Sequence, residues 1–420
     1  SAASDVYKRQ QLISTSIFMP LQRKDRWQDI DTLLLLEGGE VYFESLESAF
    51  QSAQKSIDLE VYIFTSDEQA KKVSDLLCSA AQRGVRVRVI IDWVGSSPFL
   101  FGKKMRDSGV NVKYYNPGFF GQFGFSRTHR KVIIIDEQVV YLGSANICAD
   151  YLDHLGGAIQ GKRWDLVIRA TGPVVDQIQL AFLWQWSRLA KQGMYPRNVL
   201  KRLFDFERPW PINHLMGIRE SNQASIAFIA RDNFHHRRDI EKAYLKAIGQ
   251  SREEIWLTTP YFMPGRKFRN ALVKAAQRGV AVHLLLGVGE FKILSWSVPA
   301  LYGQLLASGV SIYEYKKGVL HAKTMVVDDR WMTLGSSNCD RLSFLLNHES
   351  NLIIVNHPLV IQVREKINFQ IQSYAEKIDS NIYSKRPIGL KIMNWIVYAV
   401  LKMAMSILLI GAVDKSALKQ

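Results

Sequence analysis

The sequence predicts an α/β protein of two duplicated βαβ-type domains that face each other as a pseudo-dimer, with one active site at their interface. Three observations predict it. The chain has 420 residues, more than one compact core usually holds. Short β-branched runs alternate with helical segments that close on glycine. The segment AAQRGV at Ala80–Val85 returns at Ala275–Val280 within surroundings that repeat as well.

In the first half Ile57–Phe64 (IDLEVYIF) is strand-like, and a helical stretch follows to Arg83-Gly84. Then come Val85–Asp92 (VRVRVIID), Ser108-Gly109-Val110 and a strand over Val112–Tyr115. The second half runs in the same order through Ile255–Phe262 (IWLTTPYF), Arg278-Gly279, Val280–Leu286 (VAVHLLL), Ser308-Gly309-Val310 and Ser311–Tyr315. Runs this apolar predict sheets buried on both faces. From about Leu200 to Asn222 the chain carries Pro209, Trp210 and Pro211 without periodicity, which predicts the junction. The expected organisation is an N-terminal extension over 1–30, domains over 31–205 and 206–380, and an apolar and basic segment over 381–420.

Hydrophobic residues make up 47% and charged residues 22%, which suits a folded protein rather than a disordered one. A net charge of +15 predicts a polyanionic partner, nucleic acid or an anionic membrane surface. The three cysteines, Cys78, Cys148 and Cys339, are too far apart and too few for a disulfide framework or a zinc site. The first ten residues (SAASDVYKRQ) are polar and unpatterned, and no secretory signal follows, so the catalytic body is expected on the cytoplasmic side.

Each half carries one chemical pattern. The first reads His129-Arg130-Lys131, VIII, Asp136, then Gly143-Ser144-Ala145-Asn146; the second reads His321-Ala322-Lys323, TMVV, Asp328, then Gly335-Ser336-Ser337-Asn338. On a strand, residues two apart share a face, so each histidine projects beside its lysine while the next strand returns Ser and Asn. A Lys and an Asp at the required offsets match by chance on the order of once in three hundred histidines. With nine histidines one copy would be weak, but two copies in a repeated framework are not explained by core packing.

HxKxxxxD followed by GSxN, present twice, resembles the phospholipase D superfamily over roughly residues 40 to 375. Within it the chain is similar to bacterial cardiolipin synthases lacking N-terminal transmembrane helices. HRKVIIIDEQVVYLGSAN, Asp165-Leu166-Val167, Gly172-Pro173-Val174-Val175 and the second-half TPYFMP carry that closer match. The resemblance implies phospholipase D-like domains and a catalytic set of His129, Lys131, Asp136, His321, Lys323 and Asp328. It makes His129 the nucleophile of a phosphohistidine intermediate, and His321 the acid and base for the departing and incoming alcohols, while the likeness of the two halves leaves the reverse assignment open. Lys131, Lys323, Asn146 and Asn338 would surround the phosphate oxygens, with Ser144 and Ser336 either as further donors to the phosphate or as turn residues after glycine. Glu349, after His321, matches the family's acidic position, and Asp165, after His129, is its counterpart; these are the histidine-orienting groups. Asp136 and Asp328 are expected to brace the site through salt bridges and strand-end hydrogen bonds rather than to touch substrate. No metal or other cofactor is required.

The same motifs serve nucleases and phospholipid hydrolases, so the substrate must be read elsewhere. Asn116–Phe125 (NPGFFGQFGF) is a phenylalanine and glycine loop that suits acyl chains at the mouth of the site, although long-loop packing or base stacking would also use it. Lys385-Arg386-Pro387 precedes the apolar stretch Ile388–Val413, in which Lys402 disfavours a span and favours an interfacial helix. Trp184 and Trp186 are expected to serve core or dimer packing rather than to contact a ligand. The expected activity is therefore phosphatidyl transfer from phosphatidylglycerol to a second phospholipid alcohol, which forms cardiolipin. The partners are anionic phospholipids (phosphatidylglycerol and cardiolipin) and the membrane surface, with no nucleic acid; assembly into a homo-oligomer stays open. The expected location is the bacterial inner membrane, bound peripherally or monotopically.

Overall fold

The computed structural model describes residues 27–118, 124–152, 157–189, 223–233, 236–288 and 292–417. The first ten residues, the junction over 200–222, the loop tip over 119–123 and residues 153–156 lie outside them. The first half supplies β1 (Thr32–Glu37), β2 (Ser56–Val61), β3 (Arg86–Asp92), β4 (Asn111–Tyr115), β5 (Val132–Ile135), β6 (Val139–Gly143), the short β7 (Arg163–Trp164) and β8 (Leu166–Thr171). The second supplies β9 (Ser225–Arg231), β10 (Glu254–Thr259), β11 (Phe262–Met263), β12 (Ala281–Gly287), β13 (Ser311–Tyr315), β14 (Val319–Leu320), β15 (Thr324–Val327), β16 (Trp331–Gly335), β17 (Cys339–Asp340), β18 (Glu349–Val355) and β19 (Ala375–Lys377).

One sheet runs β1-β8-β6-β5-β2-β3-β4 and the other β9-β18-β16-β15-β10-β12-β13-β19, the same order with one edge strand added. The duplication visible in the sequence is thus a duplication of topology. Parallel βαβ pairing is confined to β2-β3-β4 and β10-β12-β13, whereas the strands that carry the motifs pair antiparallel. The reason is local. Asp136 and Glu137 have φ 52° and 60°, and Asp328 and Asp329 have φ 52° and 50°, so each motif folds back through a three-residue connection whose first two residues are left-handed.

The repeated AAQRGV is a helix ending. Helices Glu68–Gln82 and Arg266–Gln277 both stop at an arginine followed by glycine with φ near 90°, a backbone state that favours glycine. Each arginine then reaches the preceding helix, Arg83 Nη2 donating to Phe50 O at 2.7 Å and Arg278 Nη2 to Ile248 O at 2.9 Å. The valine that follows, Val85 or Val280, is buried.

Apolar side chains of both sheets meet in a shared core, where Val140, Leu142 and Ile168 of the first half pack with Met332, Leu334 and Leu352 of the second. Burying that much apolar surface between the halves makes them one body. Trp184 and Trp186, in helix Val174–Leu189, are buried at the same junction. The C-terminal residues form a single helix, Ile388–Ala417.

Candidate active site

Two short cross-half pairings bring the motifs together. His129 N–H donates to His348 O at 2.8 Å, and His348 N–H donates to Arg127 O at 2.8 Å. In the other direction β7 pairs with β14, and His321 N–H donates to Trp164 O at 2.9 Å. Each motif histidine is therefore stitched to the residue that precedes a carboxylate of the other half, Glu349 after His348 and Asp165 after Trp164.

The side chains follow. His129 Nδ1 lies 3.0 Å from Glu349 Oε2 and 3.1 Å from Ser336 O, and His321 Nδ1 lies 2.6 Å from Asp165 Oδ1. A carboxylate or carbonyl only accepts, so Nδ1 of each ring carries the proton and Nε2 holds the lone pair. Among the described residues no protein group bonds either Nε2. Each carboxylate thus serves the histidine of the opposite half, not the one that precedes it in its own half; the acid shares a strand framework with one motif and faces the other.

Burial pushes both imidazoles below their ordinary pKa, against the opposing pull of Glu349 on His129 and of Asp165 on His321. Burial would raise the carboxyls, but His321 and Lys323 outweigh it at Asp165, and His129 and Lys131 outweigh it at Glu349, so both are held below the usual range. Lys131 Nζ donates to His129 O at 2.8 Å, and burial lowers it to about 8 against the pull of Glu349 and Asp165. Lys323 Nζ makes the equivalent bond to His321 O. The Asn146 carbonyl accepts from Ile63 N–H at 3.2 Å, which leaves its buried Nδ2 without a partner; the buried Asn338 Oδ1 is likewise unpartnered. The open Asn146 Nδ2 is a donor that fits a phosphate oxygen, whereas the open Asn338 Oδ1 only accepts and does not, so the expected phosphate contact is met by the Asn146 amide and not by this atom of Asn338.

Ser144 and Ser336 stand elsewhere than expected. Ser144 Oγ donates to Asp165 Oδ1 at 2.5 Å and accepts from Leu166 N–H, while Ser336 Oγ donates to Glu349 Oε2 at 2.5 Å and accepts from Ser350 N–H. Both are fully buried, and each hydroxyl's single proton is spent on a carboxylate, so they orient the orienting acids rather than bind phosphate. Asp136 and Asp328 also stand away from the reacting groups. Seven residues of extended chain place each roughly 20 Å from its histidine. Their carboxylates accept the N–H groups of residues 54–56 and 252–254 at 2.6–2.9 Å, pinning the starts of β2 and β10 to the motif hairpins. The strand-end hydrogen bonds are present, without the salt bridges expected beside them among the described residues.

Several neighbours of His129 were not singled out from sequence. The Tyr62 ring meets the imidazole edge-on, with centroids 4.8 Å apart. Behind it Glu60, Asp92, Thr128 and Arg130 are all buried. Charged residues inside the apolar runs IDLEVYIF and VRVRVIID were the available signal, since buried charges need partners.

Comparison with known proteins gives the family. Residues 46–159 and 244–370 match the family described as cardiolipin synthase, PLD-like domain. Cardiolipin synthase B of Escherichia coli K12 is 33% identical over 370 residues, covering 86% of each chain. Cardiolipin synthase 1 of Staphylococcus epidermidis is 31% identical over 364 residues, 85% of this chain and 71% of that one. A crystal structure of phosphatidylserine synthase from Haemophilus influenzae Rd KW20 superposes with a TM-score of 0.67 at 15% identity, covering 91% of this chain and 96% of that one, a likeness of fold.

Proposed function

The chain belongs to the PLD-like family of cardiolipin synthases, and on that premise we propose that it transfers a phosphatidyl group from phosphatidylglycerol to a second phospholipid alcohol through a phosphohistidine. The simplest acceptor is another phosphatidylglycerol, with glycerol released. The observation that carries the reading is the crossed pairing of His129 with Glu349 and His321 with Asp165, which leaves two proton-free Nε2 atoms. A neutral, buried His129 is a competent nucleophile at neutral pH. Its Nε2 forms the bond to phosphorus as the bond to the glycerol oxygen breaks, and that oxygen takes a proton from His321. His321 holds that proton once the anionic phosphodiester is bound, because an adjacent negative charge favours imidazolium. The incoming alcohol then returns its proton to His321 and displaces His129. Lys131, Lys323 and the Asn146 amide suit the non-bridging oxygens.

The C-terminal helix supports docking on an anionic membrane surface. Residues Ile388–Leu408 are long and apolar enough to cross a membrane by length and composition. Asn394 and Tyr398 are instead buried against the body, Asn394 Nδ2 donating to Trp296 O at 2.7 Å, while Ile388, Ile392, Trp395, Ile396, Val400, Met403 and Ile407 face outward. One face on protein and one apolar face free, with Lys391 and Lys402 to snorkel, fits an interfacial helix of a peripheral or monotopic protein on the inner membrane. The Phe119–Phe123 loop tip lies outside the described residues and adds nothing here. Mass spectrometry of products from phosphatidylglycerol vesicles tests the activity. Cardiolipin is expected, and phosphatidic acid alone would make the chain a hydrolase.

A further inference from the structure

The two halves match position by position, and the match exposes a difference. Asp136 and Asp328 take the amides of residues 54–56 and 252–254, which aligns Glu60 with Thr258 and Tyr62 with Pro260. The registers of β2 with β3 and of β10 with β12 align Asp92 with Gly287. The motifs themselves align Thr128 with Leu320 and Arg130 with Ala322.

Around His129 these positions form a buried polar network. Thr128 N–H donates to Asp92 Oδ2 at 2.9 Å, and Asp92 Oδ1 accepts from Val94 and Gly95 N–H at 3.0 Å. Thr128 Oγ1 bonds Glu60 Oε1, whose other oxygen lies 3.8 Å from Arg130 Nη1. Arg130 Nε reaches Glu349 O at 3.4 Å, across to the carboxylate strand that orients His129. Around His321 the matching residues are Thr258, Leu320, Ala322 and Gly287, which carry no charge. The second half therefore shows that this fold closes over an uncharged set at the same place. Burying an ion pair instead costs desolvation and seldom adds net stability.

We propose that Glu60, Asp92, Thr128 and Arg130 are positioning residues that make the two imidazoles unequal, fixing His129 for bond formation to phosphorus while His321 is left to carry only the proton. The inference rests on the phosphatidyl-transfer reading above. A nucleophile must meet phosphorus in line, and about 1 Å of misplacement costs roughly 100-fold. A proton carrier that serves two oxygens in turn tolerates more freedom. Once the N–P bond exists, the phosphorus itself locates His129, so the network matters for forming the adduct and less for resolving it.

The test copies the second half into the first in the full chain, Glu60→Thr with Thr128→Leu and Arg130→Ala, beside the near-isosteric Asp92→Asn and the charge-keeping Arg130→Lys. Quenched reactions on phosphatidylglycerol vesicles give the rate of phosphatidyl-His129 formation, and a chase of trapped adduct gives its resolution. Adduct formation is expected to slow at least about 10-fold in the triple variant and several-fold in Asp92→Asn. Resolution and the vesicle concentration at half-saturation should stay near wild type, and Arg130→Lys should retain more activity than the triple variant. A folded triple variant or Asp92→Asn that forms adduct at the wild-type rate overturns the proposal, and so does equal slowing of both steps. A wild-type chain that makes product with no adduct overturns the transfer reading beneath it instead.

Discussion

At the scale of single residues, the chemistry depends on which atom holds each proton. Glu349→Gln removes the charge that fixes the His129 tautomer, and turnover is expected to fall roughly 100- to 10,000-fold with the fold intact; activity within a few-fold of wild type would remove Glu349 from its role. The depressed imidazoles make a second prediction. A buried His321 resists the proton that the unfolded chain accepts below about pH 6.5, so its contribution to stability is lost as pH falls from 7 to 5. Asp92 and Asp340, raised by burial to about 7 and about 6, act in the opposite sense over the same window. Denaturant midpoints of wild type and His321→Asn at both pH values separate the two effects. The wild-type chain should lose stability relative to the variant on acidification, and a constant difference would show that His321 is not held neutral. The motif aspartates behave differently: Asp136→Asn offers N–H to backbone N–H groups, so the melting temperature should drop by a few degrees while turnover per folded molecule stays near wild type. Loss of turnover without loss of stability would return Asp136 to the chemistry.

Elements translate those residues into position and partner. The motif hairpins exist because two left-handed turn residues reverse each strand, and the turn aspartate ties that reversal to the start of the neighbouring strand, β2 or β10. The C-terminal helix is the element that meets lipid. Trp395 and Ile396 lie on its exposed face and touch neither imidazole. The double change Trp395→Glu and Ile396→Glu should weaken flotation with phosphatidylglycerol vesicles by roughly 10-fold or more, while hydrolysis or transfer on a short-chain soluble substrate survives. Equal flotation of wild type and variant would move the docking surface elsewhere.

At the scale of the whole molecule, the duplication was legible because it was written in local chemistry: AAQRGV as a helix ending, Asp136 and Asp328 as hairpin turns, His and Lys two apart on a strand. What sequence spacing could not carry was the pairing across the halves. Chain order places Asp165 after His129 and Glu349 after His321, yet the stitching of His348 to His129 and of Trp164 to His321 exchanges them. Ser144 and Ser336 were misplaced for a related reason, since a strand position fixes a face and not which of two neighbouring acceptors a hydroxyl will choose. The direction of the strands outside the motif hairpins, β1, β8, β9 and β18, was hidden, because a buried apolar run reads the same in either direction. Such crossing is what makes two incomplete halves into one centre. Its most direct test is peptide mass spectrometry of a reaction with phosphatidylglycerol quenched within the first turnover. A phosphatidyl group on His129 is expected, with its loss in His129→Ala and no cardiolipin from either His129→Ala or His321→Ala. Cardiolipin formed at the wild-type rate by either variant would contradict that.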